Sequence, residues 1–474
     1  MIKIKYYFFS VILIMASKFG ITQTEPLSKN PNIIIILTDD QGYNDVGFNG
    51  CEDIPTPNID RIAKEGVKFT NGYVTYAVCG PSRAGLMTGR YQDQFGFSRN
   101  PIFSPQDPEM GLPLSEQTLA DIVKSAGYKT MGVGKWHLGA HAGLHPNVRG
   151  FDEFFGFLGG GHRYFPEEWT IEHESEAKGE GGSYRTKIQR NGKPVEEREY
   201  LTDALSREAV SFVKQNAGHP FFLYLAYNAP HTPLQATEKY LSRFHHIADK
   251  KRRTYAAMVS AVDDGVGLLL QQLEKSGISN NTIVFFLSDN GGPEQDNASD
   301  NGVLRAGKSS FYEGGIHVPF AMRWPDKIKA GQVCETPVIS LDIAATIVAN
   351  IRDRVTVKNE LHGIDVMPIV NGTVKNTPKR TLFWRRYDTQ EHIARQGNGP
   401  FKVLLKTNKK ELYNVNEDIS ETRNLFGENQ HKTVREFLVK ELEEWKMKLK
   451  EPAFLGLVKE QMDEYWKQRN KRTP

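Results

Sequence analysis

Four short apolar segments of this chain are each followed at once by polar or ionisable residues, and this pattern limits the fold more than any other feature. The segments are residues 31–37 (PNIIIIL), 129–133, 221–227 (FFLYLAY) and 282–287 (TIVFFL). Continuous β-branched and aromatic runs of this length are typical of strands that are buried on both faces, as in a parallel sheet.

Helical patterns lie between these predicted strands, at residues 118–126, 201–216 and 253–276. Alternating helices and strands predict an α/β fold in which helices cover both faces of the sheet. In such sheets ligands bind beyond the carboxyl ends of the strands. We therefore expect the four polar clusters to meet at a single site.

Two of these clusters contain adjacent acidic or amide residues, Asp39–Asp40 and Asp289–Asn290. Three carboxylates and one amide oxygen are hard ligands, which suit Ca²⁺ or Mg²⁺ and bind zinc poorly. Each pair taken alone is more often the start of a loop or a helix cap. Both pairs follow predicted strands, so their oxygen atoms are expected to meet at the same edge of the sheet.

The composition is that of an ordinary globular protein, with 25% charged and 39% apolar residues in a chain of 474. The net charge of +3 gives no reason to expect nucleic-acid binding. Residues 167–199 show little periodicity and are interpreted as a long loop or hairpin near the site. This segment is either a plain surface insertion or a contact for the substrate.

The two ends of the chain differ from its middle. Residues 1–22 combine Lys3 and Lys5 with an apolar run, which predicts a signal peptide and a secreted or periplasmic protein without stable membrane insertion. An uncleaved anchor or a buried first helix is the alternative.

Short strands at 379–387, 401–406 and 410–415 and a helix at 431–449 predict a C-terminal subdomain. The predicted units are therefore a catalytic domain at 23–365 and a subdomain at 366–474.

The chain has three cysteines, Cys51, Cys79 and Cys334. An exported protein can pair two of them, so a bridge between Cys51 and Cys334 is possible, although sequence cannot fix the connectivity.

The surroundings of Cys79 carry the strongest functional signal, the string CGPSRAGLMTGR at residues 79–90. Pro81 suits the first turn of a helix, so the cysteine is expected at a helix N-terminus, where N–H groups favour an anion. Arg83 follows one turn later. A small buried cysteine is the plain alternative. The whole string resembles the signature of the type I sulfatase family, C-x-P-S-R followed by T-G-R, within the alkaline phosphatase superfamily.

This resemblance implies a chemical modification of Cys79. In the family, the cysteine is oxidised to Cα-formylglycine (3-oxoalanine) by a partner, either a formylglycine-generating or an anaerobic sulfatase-maturating enzyme. One hydroxyl of the hydrated aldehyde attacks sulfur, and the second later expels sulfate. The resemblance also implies that Arg83 stabilises this hydrate.

The resemblance also assigns roles to the other polar residues. It implies that calcium binds to a set of five residues: Asp39, Asp40, Cys79, Asp289 and Asn290. The catalytic and sulfate-binding residues would be Lys135, His137, His231 and Lys308. Of these, the lysines would hold sulfate oxygens, His137 would bond the hydrate, and His231 would protonate the leaving alcohol. His231 would also contact the substrate.

Three further substrate contacts are predicted, His162 and Arg163 in the string GGGHRYF and Arg395 in the C-terminal unit. Structural roles for all three are equally consistent with the sequence. The resemblance implies an alkaline-phosphatase-like α/β core, in which a large mixed, mostly parallel sheet is sandwiched by helices, with a smaller C-terminal α+β subdomain.

The resulting hypothesis is a sulfuric ester hydrolase that removes sulfate from a sulfated carbohydrate, such as the algal polysaccharides ulvan or carrageenan. A phosphodiester or phosphonate monoester hydrolase of the same superfamily is the first alternative. A non-catalytic protein that binds sulfated glycans, with Cys79 unmodified, is the second.

Overall fold

The computed structural model describes residues 30–351, 353–374 and 379–456, so the predicted signal peptide at 1–22 lies outside the described residues. The strands are β1 Asn32–Thr38, β2 Val67–Phe69, β3 Gly72–Tyr73, β4 Lys129–Lys135, β5 Glu153–Phe157, β6 Gln189–Arg190, β7 Lys193–Pro194, β8 Phe221–Ala226, β9 Thr282–Ser288, β10 Phe320–Arg323, β11 Gln332–Cys334, β12 Val338–Ile339, β13 Thr381–Arg386, β14 Glu391–Gln396, β15 Phe401–Lys406 and β16 Lys409–Asn414. The helices are α1 Pro57–Lys64, α2 Cys79–Thr88, α3 Leu119–Lys124, α4 Gly179–Ser183, α5 Leu201–Asn216, α6 Glu238–Leu241, α7 Lys250–Lys275, α8 Glu294–Asn297, α9 Glu313–Ile316, α10 Leu341–Asn350, α11 Met367–Val370 and α12 Lys432–Lys446.

A ten-stranded sheet organises the larger part of the chain, in the order β11-β2-β10-β9-β1-β8-β4-β5-β6-β7. Strands β9, β1, β8, β4 and β5 run parallel, whereas β10 is antiparallel to β9 and to β2. The predicted large mixed, mostly parallel sheet is confirmed. The four predicted strands are β1, β4, β8 and β9, and they lie side by side, so their carboxyl ends meet at one edge.

The position of β1 in the middle of the sheet explains its continuous run of apolar residues. Ile33 and Ile35 point into a layer that includes side chains of α2, α3 and α10. Ile34 and Ile36 point into the opposite layer, which includes side chains of α1, α5 and α7. Burying each isoleucine contributes about 1.5–3 kcal/mol. The strand therefore has apolar residues at every position from Ile33 to Leu37 rather than at alternate ones.

The C-terminal unit is a four-stranded antiparallel sheet, β13-β14-β15-β16, that α12 covers. Its core is continuous with residues of the larger unit, including Tyr73 and Phe311. The predicted small antiparallel sheet and helix are confirmed, and β14 is a further strand that the sequence pattern did not predict. The helix α11 packs into the main core, so residues just after 365 still contact the larger unit.

The three cysteines are free thiols, and the possible bridge between Cys51 and Cys334 does not form. The reason is topological: Cys334 belongs to the apolar layer on one face of the large sheet, while Cys51 packs against the layer on the other face. Among the described residues, no helix is both long and apolar enough to span a bilayer.

Candidate active site

Cys79 is the first residue of α2, directly after Val78 in an extended conformation. The N–H groups of this first turn have no partner within the helix, so the helix offers an anion-binding end beside the thiol. The Cys79 Sγ is buried and lies 3.5 Å from Asp39 Oδ1. Burial raises the pKa of the Cys79 thiol to about 12. The unmodified side chain is therefore a neutral thiol at pH 7 and a poor nucleophile.

Three carboxylates surround this thiol. Ligand atoms of Asp39, Asp40, Cys79 and Asp289 all lie within 4.8 Å of one another, and all four residues are buried. Successive side chains on a strand point to opposite faces. Asp40 instead adopts a left-handed conformation with φ 63° just after β1, which allows both neighbouring aspartates to face the same site.

The carboxylates repel one another at this distance. Burial, and next the charge of Asp39, raises the pKa of Asp289 to about 6. Burial would also raise the pKa of Asp40, but the nearby Lys308 and His231 outweigh it and hold that pKa below its ordinary value. Buried like charges of this density are stabilised when a cation binds between them.

Asn290 completes a set of oxygen ligands. Its Nδ2 donates to Asp40 Oδ1 at 2.7 Å and to Gly291 O at 3.0 Å. Its Oδ1 is buried and accepts no hydrogen bond from the described residues. Three carboxylates and one unpartnered amide oxygen match the hard donors of a divalent cation such as Ca²⁺ or Mg²⁺, so the residues present fit a metal ion.

Each carboxylate also has a cationic partner. Lys135 Nζ lies 2.6 Å from Asp39 Oδ2, and Lys308 Nζ lies 2.7 Å from Asp40 Oδ2. The fully buried Arg83 lies 2.8 Å from Asp289 Oδ2. The three ionised pairs sum to zero charge, so a bound divalent cation leaves a surplus of positive charge that suits an anionic substrate.

The two histidines differ in their partners. Both ring nitrogens of His137 are buried and have no hydrogen-bond partner among the described residues. Burial, and next Lys135, holds the pKa of His137 well below its ordinary value, so a neutral ring faces the site. His231 has Nδ1 at 2.6 Å from Thr232 O and Nε2 at 3.5 Å from Asp40 Oδ2. Burial lowers the pKa of His231 to about 3, although Asp40 opposes this shift.

The structure therefore brings together most of the predicted site residues, from the carboxyl ends of four adjacent strands, the start of α2 and the loop before α9. These residues are Asp39, Asp40, Cys79, Arg83, Lys135, His137, His231, Asp289, Asn290 and Lys308.

The three other predicted substrate contacts either lie outside this site or are bonded to other groups of the protein. The ring nitrogens of the fully buried His162 face the carbonyl oxygens of Arg163 and Thr186 at 2.9 and 2.8 Å, so this geometry gives no support to a substrate contact. Arg163 is paired with Glu168 at 2.6 Å. Arg395 belongs to β14 and borders a separate cleft. Their predicted roles stay predictions.

Sequence reasoning placed residues 167–199 near the site but named no residue in them. The segment forms α4 and the β6–β7 hairpin, and it brings the ring of Tyr184 to 6.4 Å from that of His231. Burial, and next Asp39, raises the pKa of the Tyr184 hydroxyl. A Cβ at Gly161 would lie 2.4 Å from the Tyr184 hydroxyl, so position 161 must be a glycine for Tyr184 to come this close.

Comparison with known families agrees with this geometry. The family model described as Sulfatase matches residues 31–350, and the model described as N-sulphoglucosamine sulphohydrolase, C-terminal, matches residues 306–448. Among curated proteins, the N-acetylgalactosamine-6-sulfatase of Homo sapiens is 34% identical over 418 residues, which cover 85% of this chain and 77% of that protein.

Solved structures show the same similarity. The structure of Ps i-CgsB in complex with k-i-k-neocarrahexaose has a TM-score of 0.84 and 38% identity, and covers 94% of this chain and 98% of its own. The PsFucS1 sulfatase from Pseudoalteromonas sp. has a TM-score of 0.73 and 25% identity, with 88% of this chain and 90% of its own covered. The chain therefore belongs to the sulfatase family and is a sulfuric ester hydrolase.

Proposed function

We propose that the protein removes sulfate from a sulfated carbohydrate, using calcium and a formylglycine at position 79. The observation that carries the proposal is the convergence of three carboxylates, one amide and three cations on the Cys79 side chain. The similarity to N-acetylgalactosamine-6-sulfatase and to Ps i-CgsB, the latter bound to a neocarrahexaose, favours a carbohydrate substrate.

The sulfate group would bind between the lysines and the start of α2. Lys135 and Lys308 supply compact positive charges for its non-bridging oxygens. Asp39, Asp40, Asp289 and Asn290 would hold the calcium ion. A bound calcium ion would supply a Lewis acid that neutralises the sulfate and favours ionisation of the nearby hydrate.

The attack would come from the hydrated aldehyde at position 79. One hydroxyl, after releasing its proton to solvent, would form a bond to sulfur while the bond from sulfur to the carbohydrate oxygen breaks and that oxygen takes a proton from the general acid. The second hydroxyl then loses its proton, the carbon–oxygen bond to the sulfate breaks, and the aldehyde returns. The neutral His137, with two unpartnered nitrogens, is placed to accept a hydrogen bond from this hydrate.

His231 is the proposed general acid, because its Nε2 lies 3.5 Å from Asp40 Oδ2, beside the proposed metal ligands. Its pKa of about 3 in the substrate-free protein keeps it neutral. An anionic sulfate ester beside the ring favours the protonated form and raises this pKa. A sugar alkoxide is a poor leaving group, so it needs that proton.

We expect His231→Ala to slow hydrolysis of a sugar sulfate about 10²–10⁴-fold and to affect an activated aryl sulfate much less, because a stable phenolate leaves without a proton. The measurement is kcat/KM on both substrates with one enzyme preparation. Equal losses on the two substrates would exclude His231 as the acid.

Tyr184 is proposed to contact the sugar next to the sulfate, because its ring and hydroxyl face the site. Tyr184→Ala is expected to raise KM for a sulfated sugar about tenfold. We expect a smaller change in KM for an aryl sulfate, which has no sugar to contact. Tyr184→Phe removes only the hydroxyl, so its KM measures the contribution of that group. Arg185→Ala is the matched control, since the side chain of this exposed neighbour donates to Thr170 Oγ1 rather than to a residue of the site. Unchanged kinetics in Tyr184→Ala would remove it from the substrate site.

The proposed activity is tested by sulfate release from a panel of defined sulfated oligosaccharides, including carrageenan and N-acetylgalactosamine types. A phosphate diester of the same alcohol tests the phosphoesterase alternative. Faster hydrolysis of the phosphate diester would overturn the proposal. Export through residues 1–22 and maturation by a formylglycine-forming enzyme are parts of the same proposal.

A further inference from the structure

A second cleft, the Arg395 cleft, lies between the turn that joins β2 to β3 and the loops of the C-terminal sheet. It has a volume of about 610 Å³ and is bordered by residues 70–71, 335–337, 398–399, 415–416 and 419 together with Arg395. No residue that lines it belongs to the active site described above. A ligand in this cleft would therefore occupy a different place from the sulfate that is hydrolysed.

Arg395 differs from the other buried cations of the described chain. It is 1% exposed, donates from one terminal nitrogen to Gln396 O at 2.7 Å, and stacks over the Tyr73 ring at 5.0 Å. Its Nε has no hydrogen-bond partner, and no carboxylate of the described residues forms an ion pair with it. By contrast, Arg385 pairs with Asp93, and Arg149 donates to three carbonyl oxygens.

The carboxylates nearest to Arg395 are already engaged by another cation. Lys402 Nζ lies 2.8 Å from Glu313 Oε1 and 2.9 Å from Glu421 Oε1. Glu313 also accepts from the Tyr73 hydroxyl at 2.7 Å. Burial, and next Lys402 in the opposite direction, leaves the pKa of Glu421 raised to about 7. Both carboxylates are therefore bound to Lys402, and neither forms an ion pair with Arg395 in the described part of the chain.

The rest of the cleft contains further groups that can donate hydrogen bonds. Asn398 and Asn416 carry amide groups and Thr336 carries a hydroxyl, whereas Asn71 Nδ2 and the Thr70 hydroxyl already donate to Glu335 O and Cys334 O. Glu335 is the one carboxylate among the lining residues, and it is exposed. A buried cation without an ionic partner is costly unless an anion reaches it. The cleft thus combines a charge that needs an anion with donors that can complete its binding.

We propose that the Arg395 cleft binds an oxyanion, a sulfate or carboxylate group, outside the catalytic site. The planar guanidinium matches the two oxygens of such a group. The group comes either from a distant acidic residue of a glycan whose other end is in the active site, which rests on the proposed function, or from free inorganic sulfate.

The direct test is a crystal of the full chain soaked in sodium selenate, with anomalous scattering used to locate the anion. We expect selenium density within hydrogen-bond distance of Arg395, lost in Arg395→Gln. Asn398→Asp, an exposed change that adds a negative charge to the rim, should also remove it, while Asn280→Asp, an exposed asparagine outside the cleft, should not. A cleft without density in the unchanged protein would overturn the proposal, as would density in Asn398→Asp and Arg395→Gln as strong as that in the unchanged protein.

The source of the anion is distinguished by kinetics on sulfated oligosaccharides of increasing length. If a glycan supplies it, Asn398→Asp lowers kcat/KM for long chains about tenfold and leaves a single sulfated sugar unchanged. If free sulfate supplies it, both substrates keep their kcat/KM while the selenate site is lost. Because the single sugar needs only the active site, a protein inactive on it would count against the proposed function and not against the cleft.

Discussion

Replacing Cys79 by alanine is expected to lower kcat/KM for a sulfate ester by about 10⁴-fold or more, because the covalent step loses its nucleophile. The metal ligands and lysines remain in Cys79→Ala, so the variant should still bind a sulfated ligand. Sulfate release at saturating and limiting substrate measures the loss. Turnover within tenfold of the unchanged protein would show that residue 79 forms no essential covalent bond.

The same substitution should leave the fold intact. The Cys79 side chain is small, and its polar contact in the structure is the 3.5 Å approach to Asp39 Oδ1. The free energy of unfolding should change by about 1 kcal/mol or less. Cys334→Ala is the matched control, since Cys334 is also a buried free thiol but lies in the apolar layer. This control should keep full activity.

Calcium is expected to raise the melting temperature of the unchanged protein, and Asp289→Asn should largely remove this effect. A ligand at 100 times its Kd stabilises the native state by about 2.7 kcal/mol. Asp289 supplies a carboxylate to the site and anchors Arg83 at 2.8 Å. We expect Asp289→Asn to weaken calcium binding strongly and to lower kcat/KM about 10²-fold or more.

Thermal unfolding with calcium and with a chelator checks this expectation. Asp326→Asn provides the control, because this exposed aspartate lies outside the site and removes the same charge. If calcium stabilised Asp289→Asn as much as the unchanged protein, the metal would bind elsewhere. Replacing calcium with magnesium in the same experiment tests the identity of the ion.

The central sheet could be predicted from sequence because its strands are buried on both faces. Ile33 and Ile34 point to opposite layers, so the strand shows a continuous apolar run, and the polar residues begin where it ends. Since parallel strands end at one edge, Asp39 and Asp289 could be expected to meet. Their exact geometry depends on the left-handed turn at Asp40, which no periodicity shows.

Other features could not be predicted for equally physical reasons. β14 carries buried polar residues, among them Glu391 and Arg395, so it lacks the apolar alternation of a strand. Tyr184 reaches the site from a segment without periodicity, and its place depends on the glycines around Gly161. The separation of Cys51 and Cys334 follows from the side of the sheet on which each lies, which depends on the tertiary fold.

Mass spectrometry of the peptide that contains residue 79 is the most direct test of a formylglycine at this position, with the protein made in a host that has a formylglycine-forming enzyme. We expect a peptide lighter than the thiol form, which reacts with a carbonyl-specific hydrazide in proportion to the turnover of the preparation. A fully active preparation in which residue 79 remains an unmodified cysteine thiol would contradict this expectation.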